Sequence, residues 1–164
     1  MRAPVWNSEP FVEVSVELWF GTHVSEHGYR IGRLAGVEVE RDTWQVRQIF
    51  FSADGELGSH AQARPLAAVP IDHFAGDLTL RPVLTLAHVT TAEPVLLSHG
   101  TRLVRSRHQI GRLLGVEVSP NTGVLTAVFG RQHWWTRQWR LDRAGLDFSI
   151  PGEVHAGTTA SHAA

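Results

Sequence analysis

Two segments of this sequence, separated by 79 residues, are nearly identical. The stretch from Ile31 to Val39 reads Ile-Gly-Arg-Leu-Ala-Gly-Val-Glu-Val, and eight of its nine residues recur between Ile110 and Val118. Over the ungapped window from Gly21 to Phe51 the same offset gives twelve identities in 31 positions. Average composition predicts about two. The match indicates two copies of one unit, which limits the chain to folds that can be assembled from a repeated module.

Each copy carries the pattern of β-strands. An apolar residue stands at every second position between Val12 and Phe20, which is typical of a half-buried strand and not of a helix. The repeated stretch predicts another strand, and a turn follows it at residues 40–43 in the first copy and 119–123 in the second. The second turn contains proline, asparagine and glycine, which suit a tight hairpin. The sequence therefore predicts an all-β fold.

The repeat divides the chain into two tandem units and a tail. We expect the first unit to span residues 1–86, the second to span residues 87–151, and each to form a small β-barrel. Residues 152–164 are small and polar without a period, which predicts a flexible tail. Outside the repeat, strands are predicted in four further segments: 67–72, 77–85, 139–142 and 145–150.

Two glycines recur inside the repeated strand. Gly32 and Gly36 in the first copy correspond to Gly111 and Gly115 in the second. Because glycine ordinarily weakens a strand, its presence at both positions predicts β-bulges or tight bends of a barrel. A phosphate-binding loop is the alternative, but such a loop needs a helix directly after the glycines, and no helical pattern follows.

Short motifs follow one another along the first copy in a defined order: Gly21-Thr22-His23-Val24, His27-Gly28, Ile31-Gly32-Arg33-Leu34, Val37-Glu38-Val39, Arg41-Asp42, Ile49-Phe50-Phe51 and Val69-Pro70-Ile71. This order resembles the PRC-barrel family, which includes the cytoplasmic part of the photosynthetic reaction-centre H subunit and the C-terminal domain of the ribosome-maturation factor RimM. The resemblance covers residues 12–150. It implies two tandem PRC-type β-barrels that dock on larger assemblies and have no catalytic residues.

Both copies depart from the family pattern. In the second copy Trp139-Arg140 stands where Val69-Pro70 stands in the first, after a shorter and tryptophan-rich loop. In the first copy Trp44-Gln45 replaces the turn glycine that the second copy has as Gly123. The resemblance therefore leaves open whether the second copy forms a complete barrel.

Composition narrows the classes of function. Fifteen arginines against sixteen acidic residues give a net charge of -1, without the basic excess of a non-specific nucleic-acid binder. The absence of cysteine excludes disulfides, thiolate metal sites and a cysteine nucleophile. No apolar run reaches the roughly 18 residues of a membrane-spanning helix, and residues 1–10 lack the layout of a signal peptide. We therefore expect a soluble, cytoplasmic protein.

The ten histidines do not form a recognisable catalytic or metal-binding pattern. They are scattered, whereas metal ligands on one face of a strand stand two residues apart. Asp72 and His73 are adjacent, and adjacent strand residues point to opposite faces, which argues against an acid–base pair. Nucleophile-elbow, phosphate-loop and dinucleotide motifs are missing. We expect no enzyme activity, no metal and no cofactor.

The most distinctive stretch is Gly130 to Arg140, which contains three tryptophans and three arginines within eleven residues. This composition is typical of interface anchors and also of platforms that stack single-stranded nucleic acid. Core filling is the other interpretation, although Trp134 and Trp135 alternate in a strand, so at most one of the two would be core. The candidate interface residues are Arg131, Trp134, Trp135, Arg137 and Trp139.

These features favour a non-enzymatic adaptor or assembly module that binds a protein partner or another copy of itself. A ribosome- or RNA-associated maturation factor is the first alternative, suggested by the resemblance and by the arginines among the tryptophans. A barrel that binds a small ligand is the second alternative, because small barrels can enclose one. Peripheral association with a membrane complex stays open.

Overall fold

A computed structural model describes residues 14–73, 76–83 and 93–157 of the chain. Within these ranges the chain is built from β-strands and two 3-10 turns, Leu66–Ala68 and Arg143–Gly145, and the predicted all-β fold is confirmed. No helix in the described part of the chain has the length and hydropathy to cross a membrane. The strands are β1 (Val16–Trp19), β2 (His23–Glu26), β3 (Tyr29–Glu40), β4 (Val46–Ser52), β5 (Gln62–Pro65), β6 (Leu78–Leu80), β7 (Pro94–Ser98), β8 (Arg102–Arg105), β9 (His108–Val118), β10 (Leu125–Arg131), β11 (Trp139–Asp142), β12 (Leu146–Asp147) and β13 (Glu153–Ala156).

The strands form two curled sheets with similar strand orders. The first sheet runs β5-β4-β3-β2-β6, and the second runs β11-β10-β9-β8-β13-β12. In each sheet the long strand of the repeated segment lies at the centre, as β3 or β9. The second strand of each half, β2 or β8, also pairs in parallel with a later strand, β6 or β13.

Each sheet takes one strand from the other half of the chain. Strand β1 pairs with β9 in the second sheet, so that Leu18 lies opposite Val116. Strand β7 pairs with β3 in the first sheet, so that Leu97 lies opposite Val37. Each pair of opposite residues in β1 and β9 corresponds to a pair in β7 and β3 when both residues are replaced by those 79 positions away in the other copy. This holds at all four positions of β1. Each hydrogen-bonded sheet therefore contains strands from both sides of the boundary predicted at residues 86 and 87. The division of the chain into two units at that boundary stays a prediction.

The exchanged strands bind the two sheets into one core. Leu18 and Leu97 are fully buried and belong to a single hydrophobic cluster that contains residues of both sheets. Burying a leucine side chain contributes about 1.5–3 kcal/mol. Removing either strand would expose apolar surface in both halves, so the halves depend on each other for stability.

A glycine allows each exchanged strand to approach closely. A Cβ atom at Gly115 would lie 2.5 Å from the Leu18 carbonyl oxygen, and one at Gly36 would lie 2.5 Å from the Leu97 carbonyl oxygen. Both distances are shorter than any side chain tolerates, and the obstructing atom is backbone in each case. Only glycine therefore fits where β1 crosses β9 and where β7 crosses β3.

The other two glycines of the repeat permit a close approach on the opposite side of the same strands, where β4 and β10 lie. A Cβ atom at Gly32 would lie 2.6 Å from the Ser52 carbonyl oxygen, and one at Gly111 would overlap the Arg131 carbonyl oxygen. The pairing of β2 with β3, and of β8 with β9, shifts register immediately beside these glycines. A register shift bends a strand, which helps to curl each sheet.

The structure differs from three predictions made for segments outside the repeat. Residues 67–72 were expected to form a strand, but a 3-10 turn occupies Leu66–Ala68 between two prolines, and Val69 donates its N–H to the Leu66 carbonyl oxygen. Residues 152–164 were expected to be a flexible tail, but Glu153–Ala156 forms β13, whose Val154 is fully buried. The predicted strand 145–150 is reduced to the two residues of β12.

Other predicted elements agree in part with the structure. Strand 139–142 is present as β11, and the predicted strand 77–85 is present only as β6, which ends before Pro82. Residues 12, 13, 84 and 85 of the predicted strands lie outside the described ranges, as do residues 158–164 of the predicted tail. Strand β11, which contains Trp139, pairs with β10 as β5 pairs with β4, so Trp139 corresponds to a residue of β5. Leu146 follows the second 3-10 turn as Val69 follows the first. The structure therefore corrects the expected alignment of Trp139 with Val69.

Replacing Gly115 with alanine should destabilise the protein by about 1–3 kcal/mol, because the new methyl group would force β1 away from β9. Urea unfolding followed by circular dichroism measures this loss. Gly58→Ala is the matched control, since a Cβ atom there has no neighbour within 4 Å and its free energy of unfolding should change by less than about 0.5 kcal/mol. Equal stability of the two variants would contradict the close approach.

Candidate functional site

The tryptophan-rich stretch forms a turn between β10 and β11, which we call the tryptophan turn (residues 132–138). Its backbone is fixed by hydrogen bonds within the turn. The Arg131 guanidinium donates a 2.8 Å hydrogen bond to the Trp134 carbonyl oxygen. The Thr136 hydroxyl donates to the His133 carbonyl oxygen at 2.8 Å and accepts from the His133 N–H at 3.0 Å. The turn therefore holds a defined shape without burying its tryptophans.

Both tryptophans of the turn lie on the surface. Trp134 is 81% exposed and Trp135 is 66% exposed. Their rings are almost perpendicular, with centroids 5.4 Å apart, and His133 stacks on Trp135 at 4.7 Å. Large aromatic rings exposed side by side form an apolar patch, and contiguous patches of this kind mark binding sites. Core filling, the alternative interpretation from sequence, does not apply to these two residues.

The remaining candidates divide between the surface and the core. Arg137 is exposed, and within the described ranges it has no ion pair with a carboxylate. Trp139 lies in β11 opposite Gly130 and packs half-buried against the hydrophobic core. The structure therefore places Trp134, Trp135 and Arg137 in the tryptophan turn, with Arg131 at the end of β10 directly before it. Trp139 has a structural role.

An ion pair attaches β11 to the centre of the second sheet and so positions the tryptophan turn. Arg140 donates two hydrogen bonds to the Glu117 carboxylate, at 2.8 and 3.1 Å, and also pairs with Asp142. Thr126 donates a further hydrogen bond of 2.8 Å to the same carboxylate of Glu117. Burial raises the pKa of Glu117, but the hydrogen bonds from Arg140 and Thr126 outweigh it, so the pKa lies below its ordinary value.

Two aromatic rings cover the glycine beside this ion pair. Gly115 has Trp19 of β1 on one side and Phe129 of β10 on the other. The two rings stack above the glycine with centroids 4.4 Å apart and an angle of 21° between their planes. Their contact ties β1 to β10 across the strand that carries Gly115.

A cavity of about 370 Å³ lies where the turns of the two repeated hairpins meet. Most of its wall is apolar and comes from both halves of the chain, including Val16, Leu66, Val69, Ile71, Val118 and Gly123. Two arginines, Arg47 and Arg81, are the charged residues of the wall within the described ranges. The sequence did not identify this site. The one signal was the difference at equivalent turn positions, where the first copy has Trp44 and the second has Gly123.

Within the described ranges no three histidine, aspartate or glutamate side chains are grouped closely enough to hold a metal ion. Asp72 and His73, the adjacent pair noted in the sequence, follow the first 3-10 turn. Burial lowers the pKa of His73, although Asp72 and Glu17 act in the opposite direction.

No model of a known protein family matches the sequence, and no curated protein is significantly similar to it. The resemblance to PRC-barrels therefore stays a prediction.

Replacing Glu117 with glutamine should destabilise the protein by about 1–2 kcal/mol at pH 7, because the charge-assisted hydrogen bonds from Arg140 are lost. The folded pKa of Glu117 is lowered, so its stabilisation is present above the unfolded value of about 4.3. It is lost as the pH falls through the folded value. The difference between wild type and variant should therefore shrink below about pH 4.

Urea unfolding at several pH values between 7 and 3 measures this difference. Glu56→Gln is the control, because Glu56 is exposed and makes no ion pair within the described residues. A wild-type-to-E117Q difference that stays constant down to pH 3 would contradict the role of the charged carboxylate.

Proposed function

We propose that this chain is a non-enzymatic interaction module that binds a protein partner through the tryptophan turn. The observation that carries the proposal is the exposure of Trp134 and Trp135 on a turn whose backbone is already fixed by Arg131 and Thr136. A turn that is ordered before binding loses little conformational entropy when a partner covers it. Tryptophan and arginine are the residues most enriched among those that dominate binding energy.

The energy available at this surface is adequate for specific binding. A tryptophan side chain can bury about 150–250 Å², and each Å² removed from water contributes about 25 cal/mol. Covering two exposed rings therefore supplies several kcal/mol before the costs of association. Arg131 and Arg137 at the edge of the patch suit a partner whose surface carries carboxylates around an apolar centre.

Binding of single-stranded RNA is the second candidate, because Arg137 beside two exposed indoles is the combination that nucleic-acid platforms use. Three observations favour the protein partner. The rings of Trp134 and Trp135 are nearly perpendicular, so they do not form a continuous stacking surface. His133 also covers one face of Trp135. The net charge of -1 gives no general attraction to phosphate.

Two expectations from the sequence, self-association and a cytoplasmic location, remain part of the proposal. Self-association through the same patch is a form of protein binding, and we place it after binding of a different protein. A cytoplasmic location is also part of the proposal, supported by the absence of cysteine from the whole sequence.

The double variant Trp134→Ala/Trp135→Ala should keep its stability within about 0.5 kcal/mol, because both rings are exposed, and should lose partner binding. Immobilised wild type and variant are compared for the proteins that each retains from extract of the native cell. A partner retained by wild type is then purified, and we expect its dissociation constant to rise at least tenfold with the variant.

Tyr29→Ala is the matched control, since Tyr29 is an equally exposed aromatic residue at the hairpin of the other sheet. It should leave binding unchanged. A gel shift with single-stranded RNA at low and high salt tests the second candidate. Unaltered protein binding by the double variant, or tight salt-dependent RNA binding that the variant abolishes, would contradict the proposal.

A further inference from the structure

Two turns with the same backbone but different side chains meet between the sheets. Trp44 and Gly123 are related by the 79-residue offset, and both have a left-handed backbone, with φ of 61° and 71°. Each donates its N–H to the carbonyl oxygen four residues earlier, at 2.8 Å. Val46 donates its N–H to the Gly123 carbonyl oxygen, and Leu125 donates to the Trp44 carbonyl oxygen. The two positions are therefore equivalent in backbone hydrogen bonding.

The tryptophan at one of these positions fills the space beside it. The Trp44 ring packs on Phe148 with centroids 4.4 Å apart, and Phe148 is only 3% exposed. A bulky residue in the left-handed region is strained. Its presence at this turn indicates that burial of the indole against Phe148 offsets the strain.

At the equivalent position Gly123 has no side chain and forms part of the wall of the cavity of about 370 Å³. The Leu66 side chain, which also lines the cavity, lies 3.3 Å from where a Cβ atom of Gly123 would be. Ile71 corresponds to Phe148, because each stands two residues after the residue that ends its 3-10 turn, Val69 or Leu146. Ile71 is 53% exposed. The cavity thus borders the position at which the other half of the molecule carries an indole ring. We propose that this cavity binds an aromatic side chain that a partner protein supplies.

The charged residues of the cavity wall indicate which residue of the partner stands next to that aromatic side chain. Arg47 is already paired with Glu40 at 2.6 Å, but Arg81 is exposed and, among the described residues, has no carboxylate partner. Its Nε atom donates to the Ala67 carbonyl oxygen, which orients the guanidinium along the cavity wall. The lining contains no acidic residue within the described ranges. The partner segment therefore carries a carboxylate next to its aromatic residue.

A second copy of this chain is a poorer occupant. Among the described residues, the exposed tryptophans Trp134 and Trp135 stand between Arg131 and Arg137, so their insertion would bring arginines towards Arg81. Like charges brought together disfavour that contact. The cavity and the tryptophan turn are different surfaces, so the inference extends the proposed binding function to a second contact and can fail independently of it.

The experiment titrates the full-length, ¹⁵N-labelled protein with a five-residue acetylated peptide that has one tryptophan between two glutamates. We expect shifts of the Val46 and Gly123 amide signals and a dissociation constant of about 1 mM or lower. Gly123→Trp should weaken binding at least tenfold, because the new indole, with the Leu66 side chain that it displaces, would fill the cavity. Arg81→Ala should weaken binding about threefold to tenfold.

Ile71→Asp is a second blocking variant in case G123W folds poorly, since Ile71 is half-exposed and a carboxylate there would repel the peptide. The Trp134→Ala/Trp135→Ala protein is the control and should bind the peptide as wild type does. Two further peptides, with leucine in place of tryptophan and with lysines in place of glutamates, should bind at least threefold more weakly.

Several results would overturn the inference. They are the absence of amide shifts at 5 mM peptide, equal affinity of wild type and both blocking variants, and equal affinity for the acidic and basic peptides. A wild-type mass that increases with concentration and becomes monomeric in G123W would assign the cavity to a second copy instead. Loss of partner binding in the tryptophan-turn variant has no bearing on these outcomes.

Discussion

The structure depends on the backbone contact that Gly36 and Gly115 permit. At each glycine a strand from the other half of the chain passes so close that its carbonyl oxygen would lie 2.5 Å from any Cβ atom. This approach lets β1 complete the second sheet and β7 complete the first. Because Leu18 and Leu97 enter the shared core on these strands, the contact links the stability of the two halves.

Both candidate binding surfaces lie where the two halves differ. The tryptophan turn connects β10 to β11, whereas the corresponding connection between β4 and β5 has no tryptophan. Gly123, in the wall of the cavity, stands where the other half has Trp44. The common framework of strands fixes the position of both features, and substitutions on that framework give each half its own surface. Rigid elements that carry variable loops are a usual arrangement of binding proteins.

The sequence predicted the elements whose signals are local and missed those that depend on distant partners. Alternation along β1 and the repeated strand identified the strands, and Trp134 and Trp135 were recognised from composition alone. The exchange of β1 and β7 could not be predicted, because a strand's own residues do not specify which of two equivalent partners it pairs with. Strand β13 was missed because its four residues, Glu153–Ala156, follow a proline and a glycine and give too short an alternation.

The exchange of strands is tested most directly by crosslinking, since the chain has no cysteine of its own. Leu96 lies opposite Glu38 in the structure, whereas without exchange it would lie opposite Glu117, the equivalent residue of its own half. Residues directly opposite in a sheet are close enough for a disulfide. Oxidation of the Leu96→Cys/Glu38→Cys variant should give an intramolecular disulfide in nearly every molecule, and the Leu96→Cys/Glu117→Cys variant should give none. The reverse result on a non-reducing gel would contradict the account.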